Sequence, residues 1–367
     1  MRISNRQLFW LVWMFELGIN LLISLNFAIT DAKQDVWISM MIAWLAAMLI
    51  AYLAFKASRL FPGQTLLQFS ISILGKWPGK LVGLLYLLQW YWVLGIILRE
   101  QFSFIRLSML QKTPDLVIAV SFLAIAVYAV RKGGIVGVGR FSELWGPVLL
   151  FVLILTFALS MRNLNPSAML PVYADTEALA ILKGSLTPMS LLGEIALIMM
   201  LSAFLEKPDR NALRSVWLGV SVASLTLAVG AVWVIMTFGP ALSSKIQFPF
   251  FEMVKLVYLM EFIQNMDIFL VAIWLISVFI KLTVYLFIAS YGTAQWIGKP
   301  SSWRNCIWFV AAVTLAVCMA VVRLNPSSRM LLTEVWINYV LPIHFFAIPL
   351  LLLLVGMFRK NRKRGES

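Results

Sequence analysis

One histidine, His344, and two cysteines, Cys306 and Cys318, are the whole stock of imidazole and thiol metal ligands in this 367-residue chain. No zinc-type cluster can be assembled from them, and neither a metal nor an organic cofactor is expected. The cysteines stand twelve residues apart in one apolar segment, roughly 18 Å along a helix, and cannot bridge each other. Charge is scarce too: Asp, Glu, Lys and Arg make up 13% of the chain, about half their share in a soluble domain. No G-x-S-x-G, H-E-x-x-H or Walker sequence occurs and no base accompanies any serine, so enzyme readings fail for want of parts. Gly133-Gly134 and Gly137-x-Gly139 precede no strand–helix unit and no phosphate-loop lysine. They are a turn, not a nucleotide site.

What the chain does contain is apolar length. Hydrophobic residues make up 62% of it and the mean hydropathy is +0.90. Charges are kept out of long stretches, as lipid requires, because an unpaired ion in hydrocarbon costs several kcal/mol. These stretches predict ten spans, near 8–30, 36–57, 81–105, 116–130, 143–161, 188–205, 215–238, 267–290, 305–322 and 337–357. The first is too long for a signal-peptide core and lacks an A-x-A site, so it stays as a helix. All ten must be helical, since lipid offers the backbone no other hydrogen-bond partner short of a closed barrel. Fifteen tryptophans suit two membrane interfaces. The expectation is an all-α membrane protein with one transmembrane domain over 1–357 and a basic cytoplasmic tail over 358–367.

The net charge of +14 reads as loop lysine and arginine that set topology; outside the tail it lacks the basic patch with interleaved aromatics that a nucleic-acid surface needs, so the expected partner is a lipid bilayer and not a nucleic acid. With the N-terminus inside, 19 of the 30 Lys and Arg residues fall in inside loops and 9 in outside loops, with Arg99 and Lys281 within spans. That asymmetry puts both termini in the cytoplasm.

Five plus five spans turn the second half (188–357) upside down relative to the first (8–161). Two long amphipathic connections fall at matching places, 59–80 between spans 2 and 3 and 239–266 between spans 7 and 8. Within the second, 248–262 reads as a short helix lying on the surface. Spans 1 and 6 are matching members, and each carries a carboxylate beside a glycine: Glu16-Leu17-Gly18 and Gly193-Glu194. Inverted repeats with broken helices that bind substrate near the midplane are the plan of LeuT-like transporters. A glycine with a polar neighbour lets a helix unwind and present backbone groups to a ligand. Helices 1 and 6 are therefore expected to be broken.

Several stretches together resemble the spore germination receptor B-subunit family, a branch of the amino acid–polyamine–organocation transporter superfamily. They are Phe61-Pro62-Gly63 with Leu74-Gly75-Lys76; Leu98-Arg99 with Thr113-Pro114; Gly133-Gly134 through Gly139-Arg140-Phe141-Ser142-Glu143; Leu170-Pro171-Val172; Gly193-Glu194 to Phe204-Leu205-Glu206-Lys207; and Ile273-Trp274 with Phe279-Ile280-Lys281. The resemblance implies a transporter-like protein that serves as the ligand-sensing subunit of a germinant receptor in the inner spore membrane. It also implies partners, an A-type membrane subunit and a C-type lipoprotein. One departure is visible: residues 262–267, before span 8, lack arginine where relatives often have an arginine–acid pair.

Candidate site residues follow from intramembrane polarity. Glu16, about 12 Å inside span 1, is either a ligand-ammonium or proton site or a carboxylate paired with a neighbouring helix; Glu194 poses the same choice. Asn20 can cap a broken helix 1 or bridge helices. Gly18 and Gly193 are the break points, and Tyr91 could close over a ligand or simply pack. Arg99 and Glu100, near the outer end of span 3, read as a local ion pair or snorkelling side chains. His344 reads as a packing residue, and Glu143 as interfacial. Lys281, roughly 14 Å deep and level with Glu16, is either an internal cation standing where LeuT-like folds hold sodium between helices 1 and 8, or a lysine that snorkels inward. Two functions share this pocket: a receptor subunit that binds a small amino acid, with its apolar side chain met by helices 3 and 8, and a secondary transporter coupled to protons or another cation.

Overall fold

The computed structural model describes residues 1–173, 176–256, 266–324 and 330–365. Among the described residues, eight apolar helical segments are long enough to cross a bilayer, two of them far longer than one crossing: Asn5–Arg59 with 55 residues and Asp115–Asn163 with 49. At 1.5 Å per residue each exceeds twice the roughly 30 Å of hydrocarbon. Each also turns back in the middle. The first turns at Lys33 (φ 49°, ψ −130°), where a single 3-10 turn separates α1 (Asn5–Ala32) from α2 (Val36–Arg59). The second turns at Gly134 (φ 55°, ψ −160°), between α4 (115–133) and α5 (135–160). The left-handed φ there favours glycine, so the glycine cluster forms the corner between two spans. The eight segments thus accommodate ten crossings. The others are α3 (Lys76–Ser108), α6 (Ala178–Phe204), α7 (Arg210–Ser243), α8 (Met266–Trp296), α9 (Trp303–Leu324) and α10 (331–365).

Helix starts follow local chemistry. Ser4 caps α1 in a reciprocal box with Gln7, and Asp209 caps α7 by accepting from the amides of Asn211 and Ala212. The burial pattern inverts that of a soluble protein. Leu45, Leu49, Leu88, Phe151 and Leu218 face outward, whereas Glu16, Asn20, Gln101, Glu194 and Lys281 are buried. Lipid on the outside leaves the interior as the place where polar groups find partners.

Helices α1, α2, α6 and α7 pack as one unit and α3, α8 and α9 as another, with α1 against α8 joining them and the 115–160 pair packed on both α1 and α8. Each unit pairs members five spans apart, the arrangement an inverted repeat demands, and the fold is LeuT-like. Short helices sit in the two matching connections, Leu66–Leu74 and Pro249–Lys255. The second does not lie on the surface as the sequence suggested. Phe250, Phe251, Met253 and Val254 are buried, and Phe251 meets Phe104 edge-on at 5.0 Å, because aromatic area is better removed from water than left at an interface. The rest of the expected surface helix, and residues 262–265 of the arginine-free corner at 262–267, lie outside the described residues. The basic stretch after 357 continues α10 as helix to Gly365, since lysine and arginine are good helix formers.

The loops expected inside come together at one end. The amide of Ile3 donates to Phe204 (2.8 Å), Arg304 Nε to the Arg131 carbonyl (3.2 Å), Trp296 Nε1 to Lys80 (3.2 Å) and an Arg359 nitrogen to Ser72 (3.2 Å). The loops expected outside are tied at the other end, by Asn26 to Ser244 (3.0 Å) and Gln34 to Pro171 (2.9 Å).

Candidate functional site

One face of α8 organises the interior. Trp274 Nε1 donates to the Gly18 carbonyl at 2.6 Å and Ser277 Oγ to the Met14 carbonyl at 2.5 Å, clamping α8 on α1. A Cβ on Gly18 would lie 3.0 Å from both Ser277 Oγ and the Val278 backbone nitrogen. Gly18 is therefore a close-approach residue. One turn further along α8, Lys281 is 1% exposed and its ammonium lies 2.9 Å from Glu194 Oε2. The contact is a close ion pair whose angles fall short of an aligned hydrogen bond. Tyr285, four residues on and on the same helix face, donates to that same oxygen at 2.7 Å. The ammonium also stands 4.8 Å over the Phe15 ring, a cation–π contact from α1.

A lysine this buried is not snorkelling. Its contact partner is Glu194 of α6, not Glu16, with which it is level in the sequence. The expected break in helix 1 is corrected, because α1 runs unbroken from Asn5 to Ala32. The Asn20 amide donates back to the Glu16 carbonyl and Ser24 to the Asn20 carbonyl, so the polar side chains serve the helix from within. Helix 6 does change form. Its α-helix is interrupted at Leu192, after Pro188, by a tighter 3-10 stretch from Gly193 to Leu197, and an α-helical turn resumes at Ile198–Leu201. Gly193 itself is a packing residue: a Cβ there would be 2.6 Å from Cδ2 of Phe345 on α10.

Beside the Glu194–Lys281 pair lies a cavity of about 50 Å³, room for a few waters at about 10–15 Å³ each. Ile19 and Ile23 of α1, Val93, Ile96 and Ile97 of α3, Leu191 of α6 and Trp336 of α10 make its apolar walls, and Glu100 faces it together with Glu194 and Lys281. Glu100 also pairs with Arg99 at 2.6 Å, the local ion pair expected. Toward the outer end, the Phe104 ring meets Trp274 at a tilt (4.4 Å) and Phe251 edge-on (5.0 Å).

Of the residues singled out by sequence as ligand or cation candidates, the structure brings Glu194 and Lys281 to the cavity. Glu16, Gly18, Asn20 and Gly193 do not line it. Tyr91 lies elsewhere: its hydroxyl bonds Thr293, twelve residues beyond Lys281 and so roughly 18 Å along α8. His344 packs edge-on against Tyr86 at 5.4 Å. Sequence reasoning missed Tyr285, Phe15, Trp336 and the cavity-facing role of Glu100. Tyr285 was within reach, because a hydroxyl four residues from an intramembrane lysine shares its helix face. Trp336 was not, because nothing in the sequence says which way α10 turns.

Comparison with known proteins agrees with this architecture. The family model described as Spore germination protein matches residues 2–326. Spore germination protein KB of Bacillus subtilis (strain 168) is 24% identical over 376 residues, covering 100% of this chain and 98% of the relative. Spore germination protein YndE of the same organism is 23% identical (92% and 91% covered), and spore germination protein XB of Bacillus anthracis is 24% identical (95% and 95%). Among solved structures, Mhp1, a nucleobase-cation-symport-1 family transporter in a closed conformation, superposes with a TM-score of 0.64 at 15% identity, covering 97% of this chain and 90% of that one. A Na+-coupled sialic acid symporter gives 0.67 at 12% identity (97% and 89%). These likenesses establish the transporter fold, and the family match over residues 2–326 makes this chain a member of the spore germination protein family.

Proposed function

We propose that this chain is the germinant-sensing subunit of a spore germination receptor and that its ligand is a small amino acid held in the cavity between α1, α3, α6 and α8. The observation that carries the reading is a charged pair set among aliphatic walls: Glu194 and Lys281 beside Ile19, Ile23, Val93 and Ile97. A zwitterion with a short apolar side chain matches that chemistry, its ammonium toward a carboxylate and its carboxylate toward Lys281. The aliphatic contacts come from α1 and α3, with α8 supplying the charge. A cavity of about 50 Å³ must widen to admit such a ligand, and that widening is the movement a receptor can pass to an A-type membrane subunit and a C-type lipoprotein. The expected site of action is the inner spore membrane, with both termini cytoplasmic.

A second reading, a cation-coupled amino-acid transporter, is favoured by the likeness to coupled symporters in fold. In it Lys281 is a fixed internal cation in place of a sodium ion. Titration of the purified protein with alanine, valine and leucine, paired with counterflow of the same amino acids in liposomes, separates the two. Binding without counterflow supports the sensor, and counterflow supports the transporter. Preference for a sugar or a nucleoside over all three overturns both.

A further inference from the structure

Charge in the interior does not balance with every group ionised. Glu16 and Glu194 are both buried, at 0% and 3% exposure, and each is within electrostatic range of the other and of Lys281. Among the described residues Lys281 is the only buried cation, so the cluster holds two carboxyls against one ammonium. Glu194 has the stronger claim to that ammonium. Its Oε2 takes the 2.9 Å contact with Lys281 and the 2.7 Å hydrogen bond from Tyr285. Glu16 receives only a long 3.4 Å contact from Asn20 Nδ2 at Oε2, while Glu16 Oε1 and Asn20 Oδ1 have no partner. The remaining charged pair nearby, Arg99 with Glu100, is neutral as a unit. A lone carboxylate enclosed like this costs several kcal/mol, which binding one proton removes.

We propose that Glu16 is a proton-binding site in the core of α1, a neutral carboxylic acid in this closed arrangement. Its proton is the one exchangeable charge of the Glu16–Glu194–Lys281 cluster. Release of that proton requires another positive charge to enter, so any cationic group reaching the cluster is linked to proton loss. The inference stands on the buried cluster alone and holds whether the protein senses or transports.

Infrared spectroscopy of the purified protein at neutral pH tests it, because an un-ionised carboxyl has a carbonyl band apart from those of carboxylate and amide, and the band shifts in D2O. The wild type should show one such band. Glu16→Gln should lose it. Glu194→Gln should lose it as well, since Lys281 is then left to Glu16 alone, and Lys281→Met should roughly double it. The last two variants keep the test informative if Glu16→Gln fails to fold. Absence of the band in the wild type would overturn the proposal. So would a band that survives Glu16→Gln, or one that vanishes on adding sodium or potassium, which would make the site a metal-cation site instead.

Discussion

Helices α1 and α6 occupy equivalent places in the two repeats and carry the same ingredients, a glycine and a glutamate, yet they use them differently. In α6 the glycine comes first and a proline precedes it by five residues. The helix tightens to 3-10 there, and Glu194 faces both the cavity and a lysine. In α1 the glutamate precedes the glycine, no proline intervenes, and Asn20 and Ser24 bond back to the helix's own carbonyls. Glu16 is left behind the cavity wall without an ammonium of its own. Pseudo-symmetry of sequence therefore fixes where polar groups enter the membrane, and the partner helix decides what each becomes.

The sharpest way to break that contrast is to remove the shared cation. Lys281→Met should destabilise the folded protein by about 3–5 kcal/mol, because it leaves Glu194 buried without its counter-charge. Unfolding in detergent reads this directly, and adding Glu194→Gln should recover about 2 kcal/mol in a double-mutant cycle. If the double variant is no more stable than Lys281→Met alone, the two residues are not a coupled pair.

Glycine substitutions come next. Gly193→Ala places a methyl 2.6 Å from a ring carbon of the buried Phe345, and Gly18→Ala places one 3.0 Å from the α8 backbone. Overpacking of this kind costs about 1–3 kcal/mol, with Gly193 the more sensitive. Phe345→Leu should rescue Gly193→Ala and leave Gly18→Ala unimproved in the same unfolding assay.

Smaller effects follow from the hydroxyl and the second carboxyl. Tyr285→Phe removes one hydrogen bond to a charged acceptor, worth about 1.5 kcal/mol within a membrane bundle, and should weaken amino-acid binding by disturbing Glu194. Glu16→Gln exchanges one neutral group for another and should cost less than about 1 kcal/mol. A cost for Glu16→Gln equal to that for Lys281→Met would erase the distinction between the two repeats. Tyr91→Phe should leave ligand binding unchanged in calorimetry, since its hydroxyl serves Thr293 at the far end of α8.

Composition and spacing determined most of the architecture. Lipid excludes unpaired charge and free backbone groups, so apolar runs of about twenty residues can only be spanning helices. Their number and the Lys/Arg asymmetry carry fold class and repeat plan with them. Intramembrane polarity likewise marks Glu16, Glu194 and Lys281. What only the tertiary structure decided was pairing. Whether Lys281 meets Glu16 or Glu194 depends on the rotation of α8 about its axis, and that rotation is set by Trp274 and Ser277 gripping α1 carbonyls and by Gly18 admitting the α8 backbone. A hydrophobic run fixes that a helix crosses, but it is nearly uniform around its circumference. Close packing and a few buried hydrogen bonds choose the face.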